Sequence, residues 1–380
     1  MVGTARSMCE QVLIAHGTHE EKSMSIHTDS FNRRELLKGL GAVAAFGSLG
    51  FRAGSARAEG EAQKRVAGAG RQLFTPYAKA SKVSIVKGND RREIVFQSLK
   101  NIEDEVLASI ANKKRILVKP NFVSTTRPLA ASHADEIRGI LDFFKPHFKG
   151  EIIVGESAPS RNGTFEGFQN FGYMPLEKEY GIKLVDLNKE PWVYRYVFGK
   201  DHRPLPIRII STFIDRDTYI ISAAKMKTHD RAITTLSLKN ALIGAPLNDG
   251  QKNDKWLTHM EYNFTPKETL HFNMFHLAQD IWPDLGINDG FEAMEGNGPI
   301  GGTPVDAKVA LASLDPLALD ILTTKIMGFD PSKVVYLTAM TEAGMGQGDL
   351  TKVQVLGTPV EQCQYKFKPN EKLIESYGLG

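Results

Sequence analysis

Short β-branched runs alternate along this chain with stretches whose apolar residues recur at helical spacing. Val83–Val86, Ile116–Val118, Glu151–Val154, Lys183–Leu187 and Tyr219–Ala223 read as strands, as do Leu285–Asn288, Val309–Ala312 and Val353–Leu356. Arg92–Lys113, Ala134–Phe148, Phe165–Tyr180 and Leu317–Met327 carry the helical pattern between them. Strands interleaved with helices predict an α/β fold whose largely parallel or mixed sheet is covered by helices on both faces. Residues 245–267 are polar with few periodic apolar positions, and read as an excursion or lid. Residues 80–380 are expected to form a single large α/β domain, with a division into two lobes left open.

Polar residues recur where the predicted strands end. Ile116–Val118 runs into Lys119-Pro120-Asn121, Glu151–Val154 into Glu156, and Tyr219–Ala223 into Lys225-Met226-Lys227-Thr228-His229. Leu285–Asn288 meets Asp289, and Val309–Ala312 meets Asp315. Open parallel sheets bind ligands in the crevice outside the carboxyl ends of their strands. If all five strands are parallel, these side chains line one cleft.

The first 58 residues follow a different pattern. Arg33-Arg34 precedes an apolar run from Gly39 to Phe51, and Ala56-Arg57-Ala58 supplies a small-x-small cleavage site. Basic, apolar and cleavage regions in that order predict a removable export signal, and the arginine pair marks the bacterial twin-arginine route. The apolar run is shorter than the ~20 residues a membrane span needs, so no stable span is expected after cleavage. Met24 gives the more usual start for such a leader, and residues 59–79 read as a flexible stalk. The expected partner in export is the twin-arginine translocase, and the expected destination is the periplasm or another extracytoplasmic space.

Charge narrows the ligands. The whole chain carries 47 Lys and Arg against 44 Asp and Glu, and loss of the leader lowers even that small excess. Nothing here argues for nucleic acid as the partner. Of the two cysteines, Cys9 falls in the leader and Cys363 near the last strand, which excludes an iron–sulfur cluster held by several thiolates.

The densest chemistry is Lys225, Lys227 and His229, followed by Lys239 and Asn240 inside the apolar stretch from Leu236 to Ile243. A lysine desolvated beside other cations loses its proton readily and can act as base or nucleophile. Charged residues are rare in apolar stretches unless partnered, so Lys239 is expected to meet a carboxylate (Asp289, Glu156 or Asp315) or to point at a ligand. Glu156, Asp289, Glu295 and Asp315 are candidate metal ligands, although Asp315-Pro316 is equally explained as a helix cap followed by proline. Gly296 to Gly301 spells G-x-G-x-x-G, but Pro299 and Pro304 deny it the helix that dinucleotide binding requires. No NAD site is expected, and the segment reads as a tight loop whose bare backbone can approach a ligand.

In order along residues 80–357, several short pieces resemble one family. They are Val118-Lys119-Pro120-Asn121, His133, Gly155-Glu156-Ser157, Lys225 to His229, Leu238-Lys239-Asn240 with Gly244, Asp289 to Pro299, and Asp315 to Asp320. The set is similar to the domain-of-unknown-function family numbered 362. Many members of that family carry ferredoxin-like cysteine motifs, which this chain lacks. The Lys-Thr-His and Lys-Asn pieces are also distantly similar to the Lys/His sites of the lactate-racemase superfamily, with no motif that transfers residue by residue.

These readings lead to an exported enzyme acting on a small anion such as a hydroxy acid, a sugar acid or a phosphorylated compound. The catalytic candidates are Lys225, Lys227, His229, Lys239 and Asn240, with Lys119, Asn121, His133 and Gly298 binding substrate. Isomerase, epimerase or lyase chemistry and metal-assisted hydrolysis both fit, and a divalent metal is left open. The alternatives are a periplasmic redox or cofactor-handling protein and a non-catalytic anion-binding protein.

Overall fold

The computed structural model describes residues 77–199, 203–260 and 266–378. The expected export signal and all but the last residues of the expected stalk lie outside them.

A ten-stranded sheet forms the frame, and eight of its strands run in the order β12-β1-β11-β9-β7-β2-β3-β4. These are β1 (Ser81–Lys87), β2 (Arg115–Lys119), β3 (Glu151–Glu156), β4 (Lys183–Asp186), β7 (Thr218–His229), β9 (Leu285–Glu295), β11 (Val309–Ser313) and β12 (Val353–Gly357). β8 (Ile233–Thr235) and β10 (Thr303–Val305) extend β7 and β9. β5 (Trp192–Phe198) and β6 (Pro204–Ile210) make a separate hairpin.

The sheet is mixed. Strands β9, β7, β2, β3 and β4 are mutually parallel, whereas β11 runs antiparallel to both β9 and β1. The strand alternation produces two apolar clusters, as a sheet covered on both faces requires. Ile116, Val118, Tyr219 and Ile221 pack under α1 (Arg91–Lys100), α2 (Glu103–Ile110) and α3 (Ala134–His147). Leu117 and Ile220 face the other cluster, with α6 (Ser237–Gly244), α9 (Pro316–Ile326) and α10 (Val335–Glu342). Cys363 is buried and free.

Two expected long helices are broken. Arg92–Lys113 becomes α1 and α2, with Asn101 and Ile102 between them, and Phe165–Tyr180 becomes α4 (Thr164–Asn170) and α5 (Leu176–Tyr180). The second break follows Gly172, which adopts positive φ, a conformation that ends a helix readily. The excursion expected over 245–267 carries helix α7 (Asp254–Met260), and α8 (Pro266–Leu277) starts at its end. Arg208 on β6 anchors α7 through Nε to Asp254 Oδ2 at 2.6 Å and holds the preceding turn through Lys252 O at 3.0 Å. Among the described residues no helix is long and apolar enough to cross a membrane.

Candidate functional site

Strand β7 has twelve residues, whereas its neighbour β2 has five and ends at Lys119, opposite Ser222. The rest of β7 therefore runs past the end of β2, still paired with β9 as far as Lys227 and with β8, and carries Lys227 and His229 with it. Beyond that edge lies a cavity of about 690 Å³, lined by the ends of β2 and β3, the tip of β7, α6, α7 and the loop after β9. Helix α6 turns Lys239 and Ile243, and Asn240 and Gly244, toward it, two pairs at i,i+4 spacing that share one face.

Lys119 closes the sheet side of the cavity and is fully committed there. Its Nζ donates to Glu156 Oε2 at 2.8 Å, Pro120 O at 2.9 Å and Asn240 Oδ1 at 3.0 Å, which uses all three ammonium hydrogens. Glu156 also accepts from Ser157 N at 2.7 Å and Phe122 N at 3.3 Å. Asn240 accepts from Asn121 Nδ2 at 3.0 Å and donates to Ser222 Oγ at 3.0 Å. The network fixes α6 against β2. Gly244 belongs to it by omission, since a Cβ there would sit 2.0 Å from Lys119 Cε.

The remaining lysines differ in what they meet. Lys227 donates to Ala130 O at 2.7 Å, and burial followed by the charges of Lys239 and Lys225 holds it well below the ordinary lysine range. Lys255 on α7 donates to Gly244 O at 2.5 Å and Ser157 Oγ at 2.8 Å, with burial lowering it to about 7. Lys239 is 6% exposed, and among the described residues its amine has no hydrogen-bond acceptor and no ion-pair partner. Burial lowers it to about 8, and Asp230 offsets part of that effect. Lys239 thus meets none of the three carboxylates expected for it, Asp289, Glu156 or Asp315, and lines the cavity.

His229 and His259 meet across the cavity wall, Nε2 to Nε2, at 3.2 Å. His229 Nδ1 accepts from Arg231 N at 3.0 Å and Ala232 N at 3.3 Å, which places the ring's proton on Nε2 and makes His259 the acceptor. Desolvation, then the charge of Lys239, pushes both rings well below the usual histidine range. They form a neutral, oriented pair. Thr235 also lines the cavity and its Oγ1 has no partner, as is true of Asn121 Oδ1.

Several expected site residues lie elsewhere. Lys225 and Asp289 reach the same end of the sheet, but strand alternation turns them to the face under α1 and α3. There Arg91 Nε lies 3.1 Å from Asp289 Oδ2, Lys225 Nζ lies 4.0 Å from Glu292, and Glu136 is buried nearby with its carboxyl pushed well above the usual range by desolvation and by Asp289. His133 caps α3 by accepting from Asp135 N at 3.1 Å. Glu295 accepts from Lys368 N at 2.9 Å. Asp315 sits at the opposite end of the sheet, because antiparallel β11 carries it away. It caps α9 through Leu317 N and Ala318 N, and also accepts from Ser81 Oγ and Gln347 N. The four candidate metal ligands are thus dispersed, and among the described residues no group of three or more His, Cys, Asp or Glu could hold a metal ion.

The G-x-G-x-x-G segment does follow a strand, since β9 extends to Glu295, but no helix begins within it and the next element is β10. Gly298 lines the cavity, and a Cβ there would lie 2.2 Å from Thr228 O, so the loop packs directly on the β7 backbone. Lys255, His259 and Thr235 are site residues that the strand-end argument did not reach. The i,i+4 spacing of Lys255 and His259 was the available signal, and it was hidden in a segment read as an excursion.

The family model described as Domain of unknown function (DUF362) matches residues 116–325, more than half of the chain. The chain belongs to this family. The match spans β2 to α9 and so contains most of the cavity wall. A thylakoid-associated protein of Synechocystis sp. is 29% identical over 269 residues, covering 70% of this chain and 79% of its own. A crystal structure of a Thermotoga maritima protein aligns at 12% identity and a TM-score of 0.35, covering 58% of this chain and 55% of that one.

Proposed function

We propose that this family member is an enzyme that binds a small anionic molecule in the cavity and moves a proton on it. The observation that carries the reading is Lys239, a shielded amine facing a cavity with no acceptor of its own. Burying an ammonium without partners is costly, and an anionic ligand supplies the missing counter-charge. Lys227 and Thr235 have hydrogen-bonding capacity to spare beside it, whereas Lys119, Glu156 and Asn240 are consumed in holding the wall. The His229–His259 pair is the acid–base element, oriented by two backbone N–H groups and close enough to Lys239 to feel its charge.

The same proposal places the enzyme outside the cytoplasm, exported through Arg33 and Arg34 by the twin-arginine translocase. Replacing both by lysine is expected to leave the precursor in the cytoplasm, and export unaffected by the change would count against this placement. The chemistry is tested by incubating the full chain with hydroxy acids, sugar acids and phosphorylated sugars in deuterated water. Deuterium entering a carbon-bound position of one of them, and failing to enter with His229→Ala or Lys239→Met, is the expected result. Absence of exchange and of any turnover across the set would leave a non-catalytic binding protein. A stoichiometric metal in protein isolated from its native compartment would instead support the redox or cofactor-handling alternative.

A further inference from the structure

We propose that Lys239 is a nucleophile that forms an imine with a small anion bearing a ketone or aldehyde carbonyl, of which a 2-oxo acid is the simplest. The inference rests on the anion-binding reading of the cavity and narrows it to a substrate class. Four other lysines line the cavity, and three of them are held by the protein. Lys119 spends its three hydrogens on Glu156, Pro120 and Asn240, Lys227 is tied to Ala130 O, and Lys255 to Gly244 O and Ser157 Oγ. Lys372 stands exposed at the rim, 3.8 Å from Asp230. Lys239 alone combines shielding with an unengaged amine.

The surroundings suit carbonyl addition. Burial in the cavity wall favours the uncharged amine of Lys239, the form that attacks carbon, and the charge of Asp230 only partly opposes it. Thr235 Oγ1, buried and unpartnered on the cavity wall, is available to donate to the oxygen on which charge develops. The step balances without a further reagent. The Nζ lone pair forms a bond to the carbonyl carbon, the C=O π pair moves to oxygen, and that oxygen takes one of the two Nζ protons to give a neutral carbinolamine. Loss of the hydroxyl as water and of the nitrogen-bound proton leaves C=N. His259, which receives a hydrogen bond from His229, is placed to pass these protons. The imine then acidifies the neighbouring C–H bond, which joins this step to the proposed proton transfer.

The test incubates the full chain with pyruvate and sodium cyanoborohydride, followed by peptide mapping. A reduced pyruvyl adduct at Lys239, absent from Lys239→Arg and Lys239→Met, is the expected result. Arginine keeps the charge but forms no such imine, so the first variant remains informative should the second fold poorly. Calorimetric titration with oxalate, which binds as an anion but has no ketone or aldehyde, runs in parallel. Oxalate binding without an adduct at Lys239, or with adducts only at Lys227, Lys255 or surface lysines, overturns the imine and leaves the anion site standing. Neither binding nor adduct overturns both.

Discussion

Lys119 and Lys239 line the same cavity, yet their removal is expected to act in opposite directions. Lys119→Met strands Glu156, which is 3% exposed, without its counter-charge and should cost about 3–5 kcal/mol in urea unfolding. Lys239→Met removes an ammonium that has no partner, so the variant should be more stable than wild type at pH 7 by about 1–3 kcal/mol. The sign follows from its lowered pKa. In the folded chain Lys239 titrates at about 8, against 10.5 for an unhindered lysine, so the unfolded chain binds more protons between those values. The stability penalty is complete below pH 8 and fades toward 10.5, with Lys227, His229, His259, His271 and Asp230 the ionisable groups coupled to it. The advantage of Lys239→Met should therefore shrink over that window. An advantage that is absent at pH 7, or that grows with pH, would contradict the unpartnered placement. Gly244→Ala should cost about 1–3 kcal/mol, because its Cβ overlaps the Lys119 stem. A neutral result would show that Lys119 moves aside freely.

Helix α6 is the element that assembles the site, and Asp320 on α9 holds its start. That carboxylate accepts from Ser237 N at 3.1 Å and Leu238 N at 2.8 Å, while Asn288 supplies a further acceptor to Ser237 N at 3.0 Å. Asp320→Ala leaves buried N–H groups unmatched and should destabilise the fold by about 1–3 kcal/mol, with loss of hydrogen-exchange protection concentrated in residues 237–244. Unchanged protection there would assign the start of α6 to packing alone. Much of this level was legible in the chain. The strand runs at 116–118, 151–154, 219–223 and 285–288 announced themselves by β-branched composition, and Lys239-Asn240 by interrupting an apolar stretch. Strand direction was not legible, because β11 has the same composition whichever way it runs, and its reversal is what carried Asp315 to the far end. Nor was the irregularity in β7 between Lys225 and Lys227, which breaks the period-two alternation and lets two lysines two positions apart meet different surroundings.

Across the whole molecule, the cavity is built at the end of the parallel strands where β7 overshoots β2. It is closed by α7, whose Lys255 and His259 come from a stretch that looked like peripheral polar chain. On the proposed reading a protein of nearly balanced charge would hold an anion there, since five lysines meet three acidic side chains, Glu156, Asp230 and Glu371, around one space. The account stands on that space being an anion site organised by Lys239. Isothermal titration of oxalate into the full chain and into Lys239→Met tests it most directly. The account predicts saturable one-to-one binding to the wild-type chain that falls at least about tenfold in the variant, a loss of roughly 1.4 kcal/mol. Equal affinity in the two proteins, or no binding to a folded wild-type chain, would contradict it.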